Sequence, residues 1–214
     1  MSFKEKKYSV MKQAISPELA NFAFNYFLLK REAVEWMFNT NYISKFTPGF
    51  GTWEDKQVPN TFSSYGDFFM ETLMMKVLPR MKQETQLELI PCYTYARAYK
   101  KGDILKRHKD RPSCEISTTL ALGGEPWPIF LDPTGATSVI DEDKNIHKPD
   151  APKGISMVLE PGDMLVYSGC DLEHWRKPFE GEVCVQTFLH YNNLDGPFGN
   201  KNLYDGRPKL GIPK

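Results

Sequence analysis

The chain contains no stretch of about 18 apolar residues, the minimum for a membrane-spanning helix. Its opening segment, MSFKEKKYSVMKQ, has no apolar run of the signal-peptide type. The four cysteines, Cys92, Cys114, Cys170 and Cys184, include no C-x-x-C pair. That spacing argues against a zinc cluster and a disulfide framework, and fits buried thiols in a reducing compartment. Neither sign of charge is in excess, since 27 basic residues balance 27 acidic ones. No electrostatic footprint for nucleic acid or an anionic membrane is therefore visible. Repeats and low-complexity tracts are also missing. These absences leave a soluble cytoplasmic protein as the expectation. The composition suits a packed core: 214 residues, 41% hydrophobic and 13% aromatic, enough for a single domain over 1–214.

The order of patterns along the chain predicts helices first and strands after. Ser16 is a suitable N-cap, and Pro17 fits the first helical position, where its missing N–H costs nothing. Dense apolar residues over 19–38 (Leu19, Phe22, Phe24, Phe27, Leu28, Ala33, Val34, Met37) predict a helix pressed on a larger body. Pro48, Gly49 and Gly51 mark a loop. A second helix fits 65–83, with Phe69, Leu73, Met74, Val77, Leu78 and Met81 on one broad face and a kink or break at Pro79. After Glu84 the period changes to two. Residues 87–99 read as one long strand with Tyr93, Tyr95, Arg97 and Tyr99 on a single face. Further strands are predicted over 115–122, 127–131, 155–159, 164–167 and 183–191, separated by Gly-, Pro- and Asp-bearing turns. Short strands at this spacing mean a sandwich or barrel. The helical part thus covers about 1–85, the β core about 86–191, and an irregular tail 192–214.

Only four histidines occur, at 108, 147, 174 and 190. One lies in His108-Lys109-Asp110, where alternation on an extended segment puts imidazole and carboxylate on one face. Much later comes 159–167, a Pro-Gly-Asp turn and a strand, followed by His174. Two neutral imidazoles and one carboxylate on one face of an octahedral ion leave three positions open. Non-haem iron(II) oxygenases need that arrangement for a chelating cosubstrate and dioxygen. The plainer alternative makes His174 a surface residue beside Trp175 and Asp110 a turn residue. His147 sits in a polar loop and reads as solvated, and His190 reads as a packed strand residue.

Tyr99 stands nine residues before His108-x-Asp110. Pro161-Gly162-Asp163 precedes a strand, His174 follows with Pro178 four residues on, and the closing strand ends Phe188-Leu189-His190-Tyr191. In this order and spacing, from about residue 93 to 191, the sequence resembles the iron(II)/2-oxoglutarate dioxygenases, in their prolyl-4-hydroxylase-like branch. The resemblance implies a mainly β fold with flanking helices (α+β): a double-stranded β-helix, jelly-roll or cupin-like, with the N-terminal helices packed on one side. It implies Fe(II) held by His108, Asp110 and His174, with Tyr99 touching the cosubstrate 2-oxoglutarate. The implied reaction consumes O2, turns 2-oxoglutarate into succinate and carbon dioxide, and hydroxylates a protein side chain or a small metabolite, with ascorbate as an optional reductant.

One feature departs from that family. Its closing strand normally carries an Arg or Lys about eight to twelve residues past the distal histidine, yet residues 182–186 read Glu, Val, Cys, Val, Gln. Either another residue supplies the cation or the cosubstrate differs. Arg176, two residues past His174, and Arg97, on the Tyr99 face, are the candidates, because a guanidinium pairs bidentately with a carboxylate. The plain readings are a surface charge opposite Glu173 or Glu180 for Arg176 and packing on tyrosines for Arg97. Gln186 is expected to face inward and hydrogen-bond the cosubstrate or a ligand, and Thr118 or Thr119 to offer a hydroxyl to the cosubstrate. Arg111 is read either as orienting Asp110 or meeting substrate, or as a surface ion pair. Trp127 and Trp175 read as core or rim aromatics. Residues 133–152 form a long polar loop in the position of a lid. The missing basic residue keeps two other classes open: a cupin-like metal enzyme without a redox step, and a non-catalytic metal-binding domain.

Overall fold

A computed structural model describes residues 3–214 of the chain. Among the described residues there are three α-helices: α1 (Phe3–Lys6), α2 (Pro17–Asn39) and α3 (Phe68–Thr85). The strands are β1 (Tyr8–Met11), β2 (Phe62–Tyr65), β3 (Leu89–Lys100), β4 (Leu105–His108), β5 (Ile116–Gly124), β6 (Ile129–Leu131), β7 (Val139–Asp141), β8 (Ile146–His147), β9 (Ile155–Met157), β10 (Met164–Ser168), β11 (His174–Arg176) and β12 (Val183–Asn193). They form a six-stranded sheet in the order β1-β10-β5-β12-β3-β2, a four-stranded sheet β4-β11-β6-β9, and the small hairpin β7-β8. Every pairing is antiparallel. The two larger sheets are the walls of a double-stranded β-helix, as expected from the sequence. No described helix is long and apolar enough to cross a membrane.

The period-2 pattern of β3 decides what each face of the large sheet does. Ala96 and Ala98 point to the helices and join the main hydrophobic core, together with Leu120 and Leu122 of β5, Met164 and Val166 of β10, and Val185 and Leu189 of β12. The alternate residues Tyr93, Tyr95, Arg97 and Tyr99 line a cavity between the sheets. Helix α2 starts as its sequence suggests, with the Ser16 hydroxyl accepting from the Leu19 backbone N–H at 3.2 Å. It buries Ala20, Ala23, Phe27 and Val34 on the large sheet's outer face.

Several sequence expectations need correction. The second helix does not begin at Tyr65, because 62–65 pair with β3 as the edge strand β2. Asp67 then caps the helix, its carboxylate accepting from the Phe69 and Met70 amides at 2.9 and 3.1 Å. Pro79 neither breaks nor ends α3. The carbonyl it deprives of a donor belongs to exposed Met75, so water can satisfy it. Phe22 does not press on the sheet but is 62% exposed. The loop 133–152 holds the β7-β8 hairpin, with His147 exposed on β8 as expected. The tail is irregular cover, apart from a single 3-10 turn, Leu203–Gly206.

Candidate metal centre

Strand β4 ends on His108 and β11 begins on His174, and the two residues are cross-strand partners. Their rings lie 4.2 Å apart, centroid to centroid. Asp110 sits two residues beyond β4, where its backbone N–H donates to the Gly169 carbonyl at 2.9 Å. Asp110 Oδ1 is 3.5 Å from His108 Nε2 and 3.6 Å from His174 Nε2. One donor atom from each of the three residues lies within 4.8 Å of the others, close enough to share one metal ion. Gly169 makes this possible, since a Cβ there would come within 2.3 Å of Asp110 Oδ2.

Hydrogen bonding prepares both imidazoles for ligation. His108 Nδ1 lies 2.8 Å from the Lys106 carbonyl, and His174 Nδ1 lies 3.1 Å from the Leu172 carbonyl. A carbonyl only accepts, so each Nδ1 carries the proton and each Nε2 presents its lone pair inward. The Ser117 hydroxyl donates to Asp110 Oδ2 at 2.6 Å, leaving Oδ1 toward the histidines. Burial alone would push the Asp110 carboxyl up, yet His174 and then His108 hold it well below the usual carboxylate range. Burial pulls His174 down to about 4, assisted by repulsion from His108. Burial also lowers His108, but the hydrogen bond that its protonated form makes with Asp110 outweighs this and leaves it raised. Neutral imidazoles beside an ionised carboxylate are the protonation state that a divalent ion requires.

A second layer that sequence reading did not find fixes these strands. Buried Arg107 donates through Nε to Glu173 at 2.6 Å and through Nη2 to Asp132 at 2.7 Å. Its third contact is the Pro152 carbonyl, also at 2.6 Å. Glu173 Oε1 in turn accepts from the Ser138 and Val139 amides at 2.5 and 3.0 Å. The residues next to both histidines therefore tie β4 and β11 to the base of the β7-β8 hairpin. Adjacent charged residues at 107 and 173 were the available signal; only the fold reveals that they meet.

The cavity has a volume of about 290 Å³, with Lys109 and Glu142 among its lining residues. Tyr93, Tyr95, Arg97, Tyr99, Tyr167, Phe188 and His190 wall it along with His108, Asp110 and His174. Arg97 does face it, as expected, but is neutralised by an ion pair with Asp55, which also accepts from the Tyr95 hydroxyl at 2.5 Å. Burial pulls His190 down to about 4. It lines the cavity as well as packing in its strand, and with Asp110 and Cys114 it forms a second group of clustered donor atoms.

Arg176 is not a surface charge opposite Glu173 or Glu180. It is 1% exposed, and no acidic side chain among the described residues pairs with it. Its Nη1 donates to the Trp127 carbonyl and its Nη2 to Thr119 Oγ1 at 3.3 Å. Nε has no hydrogen-bond partner. Burial draws its pKa below the usual arginine value, while Cys184, Tyr99 and Tyr167 pull it partly back. Arg176 is not among the cavity-lining residues, but its neighbours Tyr99 and Tyr167 are. Thr119 donates to Gln186 Oε1 at 3.1 Å, so Arg176, Thr119 and Gln186 form one connected row. Four other residues named from the sequence have partners within the fold. Thr118 accepts from the Leu189 amide at 3.0 Å. Arg111 forms a two-pronged pair with Asp205 at 2.9 and 3.0 Å, the ion pair of its plain reading, and also lines the cavity. Trp127 is core and Trp175 stacks on Phe130, as read.

No protein-family model and no curated protein matches the sequence. Solved structures do match. A Pseudomonas putida prolyl-4-hydroxylase superposes with a TM-score of 0.57 at 14% identity, over 89% of this chain and 95% of that one. EctD from S. alaskensis, solved with 2-oxoglutarate and 5-hydroxyectoine, gives 0.62 at 14% identity, over 99% and 84% of the two chains. HygX from Streptomyces hygroscopicus, with nickel, 2-oxoglutarate and hygromycin B, gives 0.60 at 13%, over 89% and 84%. The chain has the double-stranded β-helix fold that these 2-oxoglutarate–Fe(II) oxygenases share.

Proposed function

We propose that this protein is an Fe(II)- and 2-oxoglutarate-dependent oxygenase that hydroxylates a peptidyl side chain or a small metabolite. The observation that carries this is the set His108, Asp110 and His174, with both Nε2 lone pairs and one carboxylate oxygen converging beside a cavity. Three ligands from one side suit a metal that keeps positions open for chemistry, which a closed structural zinc site does not. The donor set therefore fits iron(II). The buried, unpaired Arg176 guanidinium with its orphaned Nε fits the far carboxylate of 2-oxoglutarate, because a charge so placed needs a counter-charge.

When bound, iron and 2-oxoglutarate supply an oxidative decarboxylation that yields succinate and carbon dioxide and drives C–H hydroxylation. The chain's own residues bind, orient and shield. Lys106 and Leu172 carbonyls hold the two imidazoles in the ligating tautomer, and Ser117 holds Asp110. Arg107 with Asp132 and Glu173 keeps β4 and β11 in place. Arg176, Thr119, Gln186 and Tyr99 are assigned to the cosubstrate, and Arg97 to substrate.

The purified protein with Fe(II), ascorbate and oxygen is expected to convert 2-oxoglutarate slowly to succinate, even without its own substrate. Iron demonstrably bound with no succinate across a sensible pH range would instead favour a metal site without redox chemistry.

A further inference from the structure

A fourth side chain reaches the metal-facing side of the histidines from a loop that sequence patterns left unassigned. Residues 53–60 form a closed strap, because the Asn60 amide donates to the Trp53 carbonyl at 3.1 Å. Beside it, Thr52 and Ser63 make an isolated bridge. Two anchors seat the strap on the cavity. Val58 is 2% exposed and packs with Tyr99 and Leu105. Asp55 is bound by Arg97 and Tyr95, and its Oδ1 accepts from the Gln57 amide at 2.8 Å. Between these anchors the Gln57 side chain enters the cavity. Arg97 Nη1 and Nη2 donate to Gln57 Oε1 at 3.2 and 3.3 Å. Those donors identify the oxygen end of the carboxamide, so its NH2 is the end 3.3 Å from His108 Nε2. Because His108 Nδ1 already bears the ring proton, Nε2 is an acceptor, and Gln57 caps the lone pair that a metal would take.

We infer that Gln57 is a positioning residue at the His108 ligand nitrogen: its carboxamide covers Nε2 and would neighbour a metal held by His108, Asp110 and His174. The inference rests on the assignment of His108, Asp110 and His174 as ligands. Metal binding must give up the Gln57–His108 hydrogen bond, so the cap weakens metal affinity. A net hydrogen bond of ordinary strength corresponds to about a three- to tenfold change in binding constant.

The test is calorimetric titration of the metal-free full chain with cobalt(II), together with the visible spectrum of the cobalt-loaded protein. Gln57→Ala is expected to bind cobalt about three- to tenfold more tightly than wild type. Gln57→Glu, of the same shape but with a carboxylate beside a divalent cation, is expected to tighten binding further and alter the cobalt d–d spectrum. A purely structural glutamine would lower thermal stability and leave both readouts alone. Wild-type affinity and spectrum in both variants, with His108→Ala unable to bind cobalt, would overturn the role of Gln57 and leave the ligand assignment standing. Cobalt binding unchanged in His108→Ala would overturn the ligand assignment, and the role of Gln57 with it.

Discussion

Replacing Arg176 with methionine separates what this residue does for folding from what it does for function. In the metal-free protein Arg176 is a buried cation without a counter-charge, 1% exposed and with an unsatisfied Nε. Exchanging buried charge for a well-packed apolar side chain of similar volume is often neutral or stabilising by about 1–4 kcal/mol. Against that, the Trp127 carbonyl loses its charged donor, at a cost of about 1–3 kcal/mol. Thr119 keeps its own bond to Gln186 and loses little. The opposing effects nearly cancel, so urea unfolding of metal-free Arg176→Met should give a free energy within about 2 kcal/mol of wild type. Cosubstrate binding should respond quite differently. Removing one partner of a buried charge pair typically loses about 2–5 kcal/mol, so 2-oxoglutarate should bind the iron-loaded variant at least about thirtyfold more weakly. Arg176→Lys should recover only part, since a point charge cannot make a two-pronged contact. Normal 2-oxoglutarate affinity with a stability loss above about 4 kcal/mol would mean that Arg176 is structural. Loss of binding in Arg97→Ala but not in Arg176→Met would move the anchor to β3.

Further expectations concern the ligands, protons and the supporting layer. His108→Ala or Asp110→Ala should abolish tight iron(II) binding, measured by equilibrium dialysis, with circular dichroism unchanged; stoichiometric iron in either variant would remove that residue from the set. The metal-free protein should lose stability as pH falls from about 7 toward 5. Buried His174 and His190 stay neutral down to about 4 in the fold, whereas the unfolded chain takes up protons below its ordinary histidine value. His108, with its raised value, binds its proton more readily in the fold and offsets only a minor part of this, leaving a net loss of about 3 kcal/mol by pH 5. Flat denaturant midpoints over that range would contradict the burial of neutral imidazoles. Arg107→Ala should destabilise by about 3–5 kcal/mol, because it leaves Asp132 and Glu173 buried and unpaired, and a denaturant midpoint near wild type would show that the pairing carries no such weight.

The sequence made legible those features that local rules determine. Ser16-Pro17 announced the start of α2, and strict alternation in β3 put Tyr93, Tyr95, Arg97 and Tyr99 on one face before any cavity was known. The pair His108 and Asp110 was readable because two residues of extended chain bring side chains to the same side. Long-range pairing was not readable. Strands β1, β2, β4 and β11 are only three or four residues long, and stretches so short show no period of their own. Arg107 looks like any charged strand residue until the fold brings it to Asp132 and Glu173. Gln57 belongs to a loop whose register on the cavity is decided by Val58 and Asp55, and each meets partners about 40 residues away. Arg111 was legible only as a set of alternatives, because its partner Asp205 lies 94 residues away in the tail.

The most direct test of an iron- and 2-oxoglutarate-dependent centre is an anaerobic absorption titration of the metal-free protein with iron(II) and then 2-oxoglutarate. Chelation of the keto acid to iron at His108, Asp110 and His174 should produce a visible metal-to-ligand charge-transfer band. The band should saturate at one equivalent and be missing from His108→Ala and Asp110→Ala. Iron bound stoichiometrically by the wild-type chain, with no band at saturating 2-oxoglutarate, would contradict the account.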